Sequence, residues 1–180
     1  MKNVILLTLF LSISSITVLP QSNSKKTISS NNFSKDFKLS TTNKTQFIQN
    51  IIGKWEGKGT LMRNKAVFSM HWENTLNNPF LKLNFKNQFK DQNGILRELQ
   101  SEAYYQFSTK TGYWFDSRGM ILPLKLKFED NSLTVFWGDI KTERGKTTYT
   151  LNLDQCDVED FVMRNNQYFS FGKAIYKRTK

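Results

Sequence analysis

A single cysteine, Cys156, cannot form an intrachain disulfide, so stability must come from a core and from backbone hydrogen bonds. Three prolines and nine glycines among 180 residues are too few for a collagen-like or low-complexity chain. The one histidine, His71, has no His or Cys partner at ligand spacing, and no metal is expected. Missing too are Gly-x-Ser-x-Gly, a phosphate-cradling glycine loop and His-Glu-x-x-His. The chemistries those motifs serve are therefore not expected. The longest apolar run, residues 4–13, falls well short of the roughly 20 residues that cross a bilayer as a helix. Preceded by Lys2, it has the form of a secretory leader, and residues 1–21 are expected to be a signal peptide. Export to a bacterial periplasm or beyond follows as an expectation, with no cysteine near the junction for a lipid anchor.

Acidic residues are scarce beside basic ones, and the formal net charge is +11. Lys2 supplies one of these charges and the lysines of residues 21–45 a net four, which leaves +6 for residues 46–180. The lysines are scattered rather than gathered on one element, so nucleic acid is not an expected partner. Solvated lysines, with a weak association with an anionic envelope surface, are the expectation instead. Residues 22–44 are rich in Ser, Thr, Asn and Lys and cannot bury enough surface to offset the cost of ordering; they read as a flexible linker.

Aromatics are abundant: 14% of the chain, with Phe at 15 positions. From residue 45 a short helix is expected, and from Lys54 onward strand signals recur between turns. Ala66, Phe68, Met70, Trp72 and Leu76 share one face of a segment whose other face holds Ser69, His71, Glu73 and Thr75. Leu81, Leu83, Phe85 and Phe89 oppose Lys82, Asn84 and Lys86. Asp91-Gln92-Asn93-Gly94 is a hairpin signal, since Asn-Gly accepts positive φ. Met120, Leu122, Leu124, Leu126 and Phe128 alternate with Lys125 and Lys127, and further strands are expected over 133–137, 147–153, 158–163 and 168–178. The fold class expected for residues 45–180 is all-β: an antiparallel up-and-down barrel of about 8–10 strands after a short helix, since closure removes exposed edges. A two-sheet sandwich is the competing arrangement.

The opening Gly53-Lys54-Trp55-Glu56-Gly57-Lys58-Gly59, after a helix and before a meander, resembles the calycin superfamily of lipocalin-like and fatty-acid-binding-protein-like barrels. It is also similar to the opening of nitrobindin-like, ten-stranded haem-binding barrels. The resemblance implies that Gly53 and Trp55 close the barrel base beneath a basic residue of the last strand, Arg178 or Lys177. The haem-binding branch needs a late histidine; the last strand has none, so neither haem nor any other cofactor is expected.

The aromatic surplus suggests an apolar pocket, with Phe68, Met70, Trp72, Phe85, Tyr105, Phe107, Trp137 and Tyr149 as candidate ligand-binding residues. Arg97, Tyr105, Trp114 and Arg118 are candidates for holding an anionic head group. Asp154, Asp157, Glu159 and Asp160 lack the alternation of a Ca²⁺ loop and read as solvated charges. The expected function is non-enzymatic binding of a small apolar or amphipathic ligand. The alternatives are a barrel-shaped enzyme on an apolar substrate with His71 or Glu73 as acid–base, and a cationic envelope-interaction protein.

Overall fold

The structure is a computed structural model that describes residues 44–77 and 79–179. The expected leader, and the linker apart from Lys44, lie outside the described residues. Lys44 already belongs to a short helix, α1, residues 44–51.

Ten antiparallel strands follow: β1 Gly53–Leu61, β2 Asn64–Thr75, β3 Phe80–Lys90, β4 Leu96–Gln106, β5 Thr111–Asp116, β6 Ile121–Glu129, β7 Ser132–Trp137, β8 Gly145–Asn152, β9 Gln155–Arg164 and β10 Gln167–Arg178. Each pairs with its sequence neighbour, and β10 returns to β1, so the sheet closes. The closing seam runs from Trp55 opposite Arg178 to Leu61 opposite Gly172. The barrel is thus the arrangement adopted, and the sandwich is not.

Alternation decides which side chains point inward, because successive residues of a strand face opposite sides. Trp55, Phe68, Met70, Trp72, Leu83, Ala103, Tyr105, Leu124, Val135, Tyr149, Val158, Ala174 and Tyr176 are buried inside. The intervening lysines and glutamates stand outside, where Lys82 pairs with Glu102 and Lys86 with Glu98. Turns take the positive φ angles that tight reversals need, at Met62-Arg63 and Asn165-Asn166 among others.

α1 covers one end of the barrel. Phe47 and Ile51 are buried; Phe47 meets Phe128 edge-on at 5.9 Å, and Lys44 Nζ donates to the Phe107 carbonyl at 2.8 Å. One irregularity matters for the other end. The β9–β10 register shifts between Ser170 and Gly172, a bulge that re-aims the side chain between them. Phe171 comes to lie edge-on to Trp137, ring centres 6.5 Å apart.

Candidate functional site

The interior divides into two halves. In the half next to α1, aromatics pack against one another: Trp72 stacks on Tyr105 at 5.2 Å and meets Tyr149 edge-on at 5.3 Å, while Phe107 meets Phe128 at 5.5 Å. The base is closed by Trp55. Its indole Nε1 donates to the Ile51 carbonyl at 2.8 Å, and the Arg178 guanidinium lies 4.3 Å over its ring. Arg178 also donates to the carbonyls of Ile52, at 2.6 Å, and Asn50. It thereby satisfies helix-end acceptors that would otherwise be orphaned. Gly53, at φ 127°, makes room: a Cβ there would sit 2.7 Å from Arg178 Nη1. Lys177, the other basic candidate, points outward opposite Glu56.

The half away from α1 is built differently. Phe85, Phe89, Trp114, Trp137, Thr147, Asp160, Val162 and Phe171 face inward yet keep partial exposure. Two indoles are held by their N–H groups. Trp114 Nε1 donates to Asp116 Oδ2 at 3.1 Å, and Trp137 Nε1 donates to Thr147 Oγ1 at 3.2 Å. Phe85 lies 5.7 Å from Trp114. Asn87 and Ser101 project into this region from β3 and β4, 5% and 8% exposed, and Asn87 Oδ1 and Ser101 Oγ have no hydrogen-bond partner. Buried polar atoms are ordinarily paired, with water among the usual partners, so these two call for a partner that the described residues do not supply. Trp72 Nε1 is likewise unpartnered, though its ring is enclosed by the two tyrosines.

Asp160 enters the same region from β9, in phase with Cys156 and Val158. Its Oδ1 accepts the Thr147 hydroxyl at 2.6 Å. Burial pushes its carboxyl up to about 6, against the pull of the Thr147 hydrogen bond and helped by the nearby Glu159 charge. The phenols of Tyr105, Tyr149 and Tyr176 are also raised by burial, as is the Cys156 thiol, up to about 12. All four are therefore neutral near pH 7.

Of the eight candidate ligand-binding residues, Phe68, Met70, Trp72, Tyr105 and Tyr149 are tightly buried core, and Phe107 packs at the helix end. Phe85 and Trp137 belong to the half-exposed region, and Phe68, opposite Asn87 and 6.5 Å from Phe85, borders it. The anionic-head-group candidates are not gathered inside. Arg97 pairs with Asp91 at the rim, and Arg118 with Asp116 and Glu143, because both sit where strands give way to turns. Burial works against ionisation of Asp116, but Arg118 outweighs it and holds that carboxyl below its ordinary value. Asp160 is not a solvated member of an acidic run; the alternation of β9 turns it inward. His71 and Glu73 stand on the outer wall, in phase opposite to Trp72, and Glu73 accepts from Asn84 at 3.2 Å. Neither reaches the interior, so they supply no acid–base group inside the barrel. His71 borders a broad depression of about 890 Å³ over the outer faces of β1–β5, whose outward lining includes Lys54, Glu56, Asn84 and Lys86.

Sequence reasoning passed over Asn87, Ser101 and Thr147, and read Asp160 as a solvated charge. The usable signal was strand phase: Phe85-x-Asn87-x-Phe89 and Cys156-x-Val158-x-Asp160 each put a polar side chain on an apolar face.

Among solved structures the chain resembles Rv2717c from M. tuberculosis, with a TM-score of 0.53 and 11% identity, covering 75% of this chain and 96% of that one. At this identity the likeness is one of fold. No family model matches the chain, and no curated protein matches it in sequence.

Proposed function

We propose that the barrel binds a small amphipathic molecule in the half of its interior away from α1, as a non-enzymatic, calycin-like carrier. One observation carries this reading: buried, unpartnered Asn87 Oδ1 and Ser101 Oγ lie behind a ring of half-exposed aromatics. An apolar wall with a few convergent polar atoms is the usual form of a small-molecule site. The Trp55–Arg178 closure supports the calycin-like part, since it is the contact that the opening sequence implies for such barrels. Export of the carrier is part of the same proposal and rests on residues 1–21.

The test uses the indoles already in place. A displaceable fluorescent fatty-chain probe should bind, quench tryptophan emission through Trp114 and Trp137, and compete with any ligand that native mass spectrometry finds on the purified protein. No bound or displaceable ligand, with tryptophan emission unmoved, would remove the proposal.

A further inference from the structure

We infer that Asp160 is the anchor for an ammonium group, so that the molecule this barrel prefers is an amphipathic amine whose cationic end meets Asp160 and whose apolar body lies along the half-exposed aromatics. This rests on the small-ligand reading above and narrows it to one chemical class.

The argument is one of uncompensated charge. Asp160 lies between Thr147 on β8 and Gly172 on β10, its register partners on the two sides. Thr147 satisfies Oδ1. Oδ2 lies toward Gly172, where a Cβ would sit 2.9 Å away, and among the described residues no hydrogen bond ends on it. The bare Gly172 puts no side chain against that side of the carboxylate, and Leu61 borders the space: the same Cβ would sit 3.3 Å from Leu61 Cδ1. No lysine, arginine or histidine among the described residues forms an ion pair with Asp160. The ion pairs present lie on the outer wall or at the rim.

The groups facing Asp160 from the packed elements add no positive charge. Tyr105 from β4, Tyr149 from β8, and Tyr176 from β10 are neutral near pH 7, as is Cys156 from β9. Glu159 adds a nearby negative charge from the outward face of β9. A carboxylate that keeps only partial solvent contact and has no counter-charge is costly, and an incoming cation would offset that cost.

Chemistry selects the kind of cation. One carboxylate and one hydroxyl are too few donors for a metal ion, and no group of three metal-binding side chains occurs among the described residues. An ammonium group needs only the carboxylate and nearby aromatic surface; Trp137, whose indole N–H donates to the same Thr147 hydroxyl, and Phe171, next to Gly172 in the chain, lie in this region. A fatty acid would instead bring a second negative charge.

The experiment compares three ligands of one chain length, dodecylamine, dodecanol and dodecanoate, on the purified protein by calorimetry and tryptophan emission across pH. At neutral pH the amine should bind at least about tenfold more tightly than the alcohol, and dodecanoate more weakly than either. That preference should fade as pH falls through about 6, because protonated Asp160 carries no charge to pair. Asp160→Asn should bring amine and alcohol affinities together and so erase the preference. The wild-type pH profile and the carboxyl titration of Asp160, followed by NMR and lowered by bound amine, serve even where the variant folds poorly. If alcohol and acid bind but the amine shows no advantage, the ammonium site is wrong and the small-ligand reading stands. If none of the three binds, both fall.

Discussion

At the helix end of the barrel, donors and acceptors other than Trp72 Nε1 find each other within the chain. Trp55 donates to Ile51, Arg178 caps Ile52 and Asn50 while lying on the Trp55 ring, and Lys44 reaches Phe107. At the other end aromatics are just as plentiful, yet Asn87 and Ser101 point inward without partners and Asp160 holds a charge without a counter-charge. Composition does not separate the two ends; apart from the enclosed Trp72 Nε1, the pairing of polar atoms does. The first end is organised for stability. The second carries costs that a fold under selection for stability alone would shed, which is how binding sites differ from cores.

The largest effect should come from breaking the satisfied end. Trp55→Ala removes a fully buried indole, its hydrogen bond and the surface on which Arg178 rests. A loss of about 3–5 kcal/mol is expected in urea unfolding, with the ligand preference of the surviving folded fraction unchanged. A variant that kept its stability but lost ligand binding would place the site at the wrong end.

Asp160→Asn should act in the opposite direction at the open end. The carboxyl titrates at about 6 in the folded chain against an ordinary value of 3.8, so the folded state holds its proton more tightly than the unfolded state does. Below 3.8 both states are protonated and the stabilising contribution is fully present; it is lost as pH rises through about 6. The interval amounts to about 3 kcal/mol at most. Above pH 6 the Asn variant should therefore have the higher urea midpoint, and the two proteins should converge as pH falls toward 4. Equal midpoints at neutral pH would mean that Asp160 is solvated after all.

Gly53→Ala returns to the base. The residue would have to hold φ 127° with its Cβ against the Arg178 guanidinium, and a loss of about 1–2 kcal/mol is expected. Chemical shifts of the Trp55 indole N–H should report the displaced Arg178. An undisturbed indole signal with unchanged stability would show that the close fit of Gly53 under Arg178 is slack.

The sequence exposed these two ends unequally, for physical reasons. Period-two alternation and turn residues mark strands directly, and a large indole beside glycines before a meander marks a closure, so β1 and its partner at Arg178 were legible. The open end depends on phase within a single strand. Asp154, Asp157, Glu159 and Asp160 read as one acidic run unless Cys156 and Val158 are used to count inward positions. Phe171 is harder still, because a bulge defeats the counting, and nothing in Ser170-Phe171-Gly172 distinguishes a bulge from regular strand.

The smallest effect is the sharpest probe of the comparison. In an ordinary core, truncating a buried hydroxyl that holds a hydrogen bond strands its partner and costs stability. Ser101 Oγ has no partner to strand. Ser101→Ala should therefore change unfolding free energy by less than about 0.5 kcal/mol, or raise it slightly, because a desolvated hydroxyl is removed. Under the proposed ligand-binding role, ligand affinity should fall all the same, since the hydroxyl would then pair with the ligand. Measured together, unchanged urea midpoint and weakened probe binding would assign the unpaired hydroxyl to the ligand. A destabilisation of the size seen for an ordinary buried hydrogen bond would instead show that Ser101 is satisfied in solution, and the contrast between the two ends would narrow to Asn87 and Asp160.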